Sequence, residues 1–142
     1  MHLPYNISKP AKLENLESLI AYAQNIWTEM GMDSALADKL HLVLEEILVN
    51  IVKYAYPDSD SKGDISLSCG MQDQNSFCMQ IKDHGQAFNP LNLEDPDTNE
   101  DLEKRPIGGL GIYLVKQISD FMKYKRENQT NIITICFNKQ ST

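Results

Sequence analysis

The apolar residues of this chain change their spacing several times, and those changes restrict the fold more than any other feature of the sequence. Leu3, Tyr5 and Ile7 alternate with polar or small residues, the period of a strand, and Pro4 among them suits an edge position. The period then lengthens. Leu13, Leu16, Leu19, Ile20, Ala23, Ile26, Trp27 and Met30 form the apolar face of a helix that Gly31 stops. Asp33 reads as the N-cap of a second helix, whose broad apolar face carries Leu36, Leu40, Val43, Leu44, Ile47, Ile51 and Tyr54 as far as Pro57. Alternation returns in Ile65, Leu67, Cys69 and Met71, and again in Phe77, Met79 and Ile81. The short polar stretch from Gln72 to Ser76 makes these two strands an antiparallel hairpin.

From His84 to Pro106 there is no periodicity, and the prolines, acids and amides of that stretch predict a long loop, which at that length is either functional or disordered. A third helix starts within Gly108-Gly109-Leu110-Gly111 and carries Leu114, Val115, Ile118 and Met122. Two last strands, near Lys123 to Arg126 and Ile132 to Phe137, are joined through residues 127–131. The order of elements predicts an α+β fold, a two-layer sandwich with a mostly antiparallel, mixed sheet and three helices on one face. At 142 residues, without repeat or linker, residues 1–142 read as one domain with a core that needs no metal or disulfide staple.

Twenty Asp and Glu against thirteen Lys and Arg give a net charge of -7, which argues against a nucleic-acid or anionic-membrane partner. Much of that acidity lies between Asp83 and Arg105, where Glu94, Asp95, Asp97, Glu100, Asp101 and Glu103 face only Lys104 and Arg105. No apolar run approaches the roughly 20 residues of a membrane span. The start, Met1-His2-Leu3-Pro4-Tyr5, lacks the pattern of a signal peptide, so a cytoplasmic location is expected. Cys69, Cys78 and Cys136 contain no C-x-x-C pair and are odd in number, which disfavours a zinc site or a disulfide scaffold.

Three segments carry candidate chemistry. Glu46, Asn50 and Lys53 stand at i, i+4 and i+7, within about 60° on a helical wheel, in a helix that is otherwise apolar. An acid, an amide and an amine so placed can accept a proton, ligate Mg²⁺ through oxygen and neutralise a phosphate; a solvated face with a salt bridge is the plainer reading. Asp83 keeps the parity of the core-facing residues Phe77, Met79 and Ile81, and Gly85 follows it. A carboxylate there either receives hydrogen bonds from a ligand such as an adenine amino group or forms a turn. Gly108-Gly109-Leu110-Gly111, with Arg105 upstream, offers backbone amides and a fixed charge to a phosphate, or is a flexible loop. It matches neither a P-loop nor a dinucleotide fingerprint.

Taken in order, Glu46-x-x-x-Asn50-x-x-Lys53, Asp83-x-Gly85-x-Ala87-Phe88 and Gly108-Gly109-Leu110-Gly111 resemble the N, G1 and G2 boxes of the GHKL ATPase superfamily. Leu44-Glu45-Glu46 through Tyr54-Ala55-Tyr56-Pro57, with Phe88-Asn89-Pro90, is most similar to the bacterial anti-sigma factor serine/threonine kinases. The resemblance implies an ATP-binding α/β sandwich, often dimeric, that binds a sigma factor and phosphorylates a serine on an anti-anti-sigma antagonist. It implies that Glu46 is the general base and Asn50 the Mg²⁺ ligand. Asp83 would take the adenine amino group, Gly85 would shape its pocket, and Gly108, Gly109 and Gly111, around Leu110, would form the lid over the phosphates. Arg105 fits a basic position beside that lid, Lys53 a phosphate contact, and Thr130 a threonine near adenine. Ala87 departs from the glycine common in the superfamily. Glu45 adjoins Glu46, but only Glu46 shares a face with Asn50.

Transfer to a histidine of this chain is not expected, because a histidine kinase needs a dimerisation helix pair that no remaining residues supply. His84 is assigned to the loop, His41 to the helix surface and His2 to the terminus. The expected function is therefore an ATP-dependent serine/threonine kinase acting on a partner protein. The alternatives are an ATP-gated binding module without transfer and a purely structural interaction protein, which leaves the three boxes unexplained.

Overall fold

The computed structural model describes residues 1–57, 63–92 and 109–139. The elements run β1 (Tyr5–Pro10), α1 (Leu16–Glu29), α2 (Ala37–Asn50), β2 (Asp64–Met71), β3 (Ser76–Asp83), α3 (Gly109–Ile118), β4 (Phe121–Glu127) and β5 (Thr130–Asn138). The strands form one sheet in the order β1-β2-β3-β5-β4, and every pairing among the described residues is antiparallel. α2 lies between α1 and α3 in the helical layer.

The periods seen in the sequence have structural counterparts, except that Met122, assigned to the third helix, lies in β4 because α3 ends at Ile118. In β2 the even rhythm buries Ile65, Leu67 and Cys69, and in β3 it buries Phe77, Met79 and Ile81. That face meets α1 and α2, whose buried residues include Leu19, Ile20, Ala23, Leu40, Leu44 and Ile47. Trp27 of α1 sits edge-on to both Phe77 of β3 and Phe137 of β5, at 5.1 and 5.3 Å between ring centroids. Such edge-to-face pairs add about 0.5–1.5 kcal/mol each to the burial itself. The indole N–H is satisfied by the carbonyl of Asp33 at 2.9 Å. The opposite face of the sheet is mostly polar, with Ser8 bonded to Ser66 and Gln80 to Thr134, and it carries a small buried cluster of Leu3, Cys78 and Cys136.

The helix ends follow local chemistry. Gly31 adopts φ 75°, the left-handed conformation that ends α1 without steric cost. The Asp33 side chain accepts the Ala35 N–H at 2.9 Å, capping the single 3₁₀ turn that leads into α2. α2 does not stop at Asn50: residues Ile51–Ala55 continue as a π-helical turn, closed by the Tyr56 N–H on the Ile51 carbonyl. Tyr54, expected on the apolar face, is exposed on that turn, because the wider winding rotates it off the helical period.

The last hairpin is longer than the sequence predicts. β4 and β5 together take in Phe121, Met122, Glu127, Thr130 and Asn131, leaving only Asn128 and Gln129 as the turn. Both have positive φ, 51° and 62°, as a two-residue turn matched to strand twist requires. Cys78 and Cys136 are direct partners in the β3–β5 register and form a disulfide, while Cys69 is free and buried. The spacing of the cysteines carries no sign of this pair, since strand register alone brings the two together.

Candidate nucleotide-binding site

The polar stripe of α2 is half in and half out of the helical layer. Asn50 is only 7% exposed and donates its Nδ2–H to Glu46 Oε1 at 3.3 Å. Among the described residues its Oδ1 has no partner, so a buried acceptor is left available. Burial raises the pKa of Glu46, against which the Asn50 hydrogen bond and the Lys53 charge act. Lys53 is exposed on the π turn. Glu45 points elsewhere, toward His41 Nδ1 at 3.5 Å, and His41 Nε2 meets Glu17 at 3.2 Å on the outer surface of α1 and α2.

Asp83 is 1% exposed at the end of β3, on the core-facing parity. Its Oδ1 accepts two hydrogen bonds, from Gly85 N–H and from Asn131 Nδ2–H, each at 2.9 Å. Oδ2 has no donor among the described residues. Burial raises this carboxyl's pKa, and Asn131, Gly85, Arg126 and His84 pull it back down. A buried, oriented carboxylate with one free oxygen is a ready acceptor for an N–H of a ligand.

The turn after Asp83 is pressed against the end of α2. A Cβ on Gly85 would lie 2.2 Å from the Ala55 carbonyl oxygen, so only glycine fits. Gln86 satisfies two carbonyls of the π turn, through its N–H to Ala55 at 2.8 Å and its Nε2–H to Tyr54 at 2.7 Å. The Phe88 ring lies 5.1 Å from that of Tyr54. Ala87 is exposed between them in sequence. Tyr56 closes the back, its hydroxyl accepting the His84 N–H at 2.8 Å and donating to the Asp64 carbonyl at 3.2 Å. Burial pushes that phenol's pKa up.

Gly109, Leu110 and Gly111 make the first turn of α3. Arg105 and Gly108 lie outside the described residues. Thr130, expected near adenine, sets its Oγ1 3.0 Å from His84 Nδ1, on the parity of β5 opposite to Asn131. The β5 partner of Asp83 is Asn131. Asn131 escaped the sequence reading together with Arg126, Tyr124 and Gln86. Its signal was present, since Asn131 shares the parity of Ile133, Ile135 and Phe137 and is the lone amide of that row.

The donor set fits a nucleotide and its cation on the described residues alone: an orphaned carboxylate oxygen at Asp83 and an orphaned amide oxygen at Asn50, both buried. The sandwich of helices and five strands is a fold shared with solved histidine kinase structures. It is similar to the Mycobacterial sensor histidine kinase MprB, with a TM-score of 0.52 at 14% identity, covering 96% of this chain and 100% of that one. The Acinetobacter baumannii histidine kinase AdeS is similar to the same degree, TM-score 0.52 at 16% identity over 99% of this chain and 70% of that one. Residues 9–137 match the family model described as a histidine kinase-like ATPase domain, and the chain belongs to that family. It is also similar to the serine-protein kinase RsbW of Bacillus mycoides, 24% identical over 128 residues that span 87% of this chain and 78% of the relative. The serine-protein kinase RsbW of Oceanobacillus iheyensis is 26% identical over 127 residues, 83% of this chain and 76% of that one. Among the described residues no helix is long and apolar enough to cross a membrane.

Proposed function

We propose that this chain is an ATP-dependent serine/threonine protein kinase of the anti-sigma type, a single domain acting in the cytoplasm on a separate, anti-anti-sigma-like protein. The observation that carries the reading is Asp83, a carboxylate 1% exposed with Oδ1 doubly bonded and Oδ2 without a donor among the described residues. A ligand that donates an N–H, as the adenine amino group does, completes its hydrogen bonding. The names of the RsbW relatives support the protein-kinase part of the reading.

Bound Mg-ATP supplies an electrophilic terminal phosphoryl group with its charge partly neutralised. Asn50 Oδ1 is the oxygen ligand offered to the cation, and the Asn50 amide holds Glu46 in place beside it. Glu46 accepts the proton of the attacking serine hydroxyl, and burial, by raising its pKa, makes it a better base than a free carboxylate. Lys53, Arg105 and the amides of Gly108, Gly109 and Gly111 are assigned to the phosphates, where they orient the leaving group.

The test is incubation of the protein with Mg-ATP and the products of neighbouring regulatory genes, followed by detection of phosphoserine or phosphothreonine. Stoichiometric phosphate on one partner supports the reading. Tight ATP-dependent binding of a partner with no phosphate transferred replaces it with a nucleotide-gated binding module.

A further inference from the structure

Asn131 carries five side-chain hydrogen bonds among the described residues. It is 0% exposed. Its Nδ2 uses both hydrogens, one to Asp83 Oδ1 and one to the Gln86 carbonyl, each at 2.9 Å. Its Oδ1 accepts from the Tyr124 hydroxyl, from Arg126 at 2.8 Å and from the Phe88 N–H at 3.5 Å. Arg126 reaches the Gly85 carbonyl as well, at 3.1 Å. One amide thus joins β3, β4, β5 and the turn that follows Asp83.

The amide can take only one orientation. Rotated by half a turn, its oxygen would face a carboxylate and a carbonyl, both acceptors, while its NH₂ would face a guanidinium, which can only donate. The donors on its oxygen therefore fix where its N–H points, and that direction is Asp83 Oδ1.

This has a consequence for ligand choice. We infer that Asn131 is a positioning residue that holds Asp83 as an ionised, acceptor-only group with Oδ2 presented to the base, so that the pocket selects purines with an exocyclic amino group over purines without one. The inference rests on nucleotide binding as proposed above. An Asp83 without the Asn131 bond is a buried acid with one donor fewer; it takes up a proton more readily and can then donate as well as accept. A group that both donates and accepts discriminates poorly between an amino group and a carbonyl. The charged and titratable groups facing Asp83 are His84 beside it, Tyr56 after α2, and Tyr124 and Arg126 on β4. Among the described residues, only Asn131 and the Gly85 N–H bond the carboxylate itself.

The experiment measures Kd for ATP and for purine riboside triphosphate, which lacks the amino group, in the native chain and in Asn131→Ala, Asn131→Asp and Tyr124→Phe, from mildly acid to alkaline pH. The native chain should prefer ATP by roughly tenfold or more, with little pH dependence across neutrality. In Asn131→Ala the preference should shrink to about threefold or less. In Asn131→Asp two carboxylates face each other and share a proton, so ATP affinity should fall as pH rises, a profile that loss of packing does not produce. Tyr124→Phe, which removes one donor from the far side of the amide, should narrow the preference less than Asn131→Ala, and it serves if the Asn131 variants fail to fold. Native-like preference and a flat pH profile in the folded variants would overturn the inference, as would a native chain that binds both triphosphates equally. A native chain that binds neither nucleotide overturns instead the ATP reading on which it rests.

Discussion

Asn50 and Glu46 sit one turn apart on α2, and the hydrogen bond between them, Nδ2–H to Oε1 at 3.3 Å, leaves each with one oxygen that has no partner among the described residues. The pair thus places the proposed base and the proposed cation ligand side by side on one helix. Replacing Glu46 by Gln keeps the shape and removes the base. ATP affinity should stay within about threefold while phosphate transfer falls by at least about a hundredfold, as expected for loss of general-base catalysis. Undiminished transfer would remove Glu46 from the chemistry.

The pH dependence of transfer follows from the same residue. Burial raises the Glu46 pKa, and a base works only when ionised. Transfer in the native chain should fall as the pH drops through that raised value, at a pH above the ordinary range of a glutamate. A single-turnover rate profile that stays level down to the ordinary carboxylate range would contradict this assignment.

Asn50→Ala removes the proposed cation ligand and the hydrogen bond to Glu46 together. ATP binding should lose most of its dependence on Mg²⁺, read by titrating the cation at fixed nucleotide. If the Mg²⁺ dependence is the same as in the native chain, the cation is held by other groups.

Gly85→Ala tests the contact between the turn and the helix. The added methyl would lie 2.2 Å from the Ala55 oxygen, and backbone must shift to admit it. The expected cost is about 1–3 kcal/mol of stability, together with weaker nucleotide binding. A melting temperature equal to that of the native chain would show that the turn relaxes freely.

Asp83 should leave a mark on stability as well as on binding. Burial raises its folded-state pKa above the unfolded value, so between those two values the folded chain holds more proton than the unfolded one. That contribution is fully present below the unfolded pKa and is lost as pH rises through the folded one. Asp83→Asn should remove this component, so the stability of the native chain relative to the variant should decline as pH rises out of the ordinary aspartate range. It should also weaken ATP binding in calorimetry. A difference in stability that is constant with pH would show that Asp83 titrates alike in both states.

Helices and strands were legible because their apolar residues repeat at the period that each structure needs, as in Leu16 to Trp27 and Ile65 to Cys69. Asp83 was legible by the same parity, since it continues the row of Phe77, Met79 and Ile81. What stayed hidden depends on pairing between distant segments. The hairpin turn uses Asn128-Gln129 in place of a glycine-bearing pair, so its positive φ values had no local sign. The Cys78–Cys136 bridge and the Asp83–Asn131 bond are both set by the β3–β5 register, which leaves no trace in spacing. Strand parity singles out Asn131, which continues the row of Ile133, Ile135 and Phe137. The π turn was hidden because the carbonyls it releases are satisfied by Gln86, some thirty residues away.

That last contact means that Gln86 caps the helix bearing Glu46 and Asn50. The end of α2 and the turn after Asp83 cannot loosen separately, because each ends the other's hydrogen-bond ladder. Together they form one cooperative unit for local opening. Amide exchange at Gln86 is then a reporter for fraying of the helix, and occupancy at Asp83 would slow it without any change in average structure.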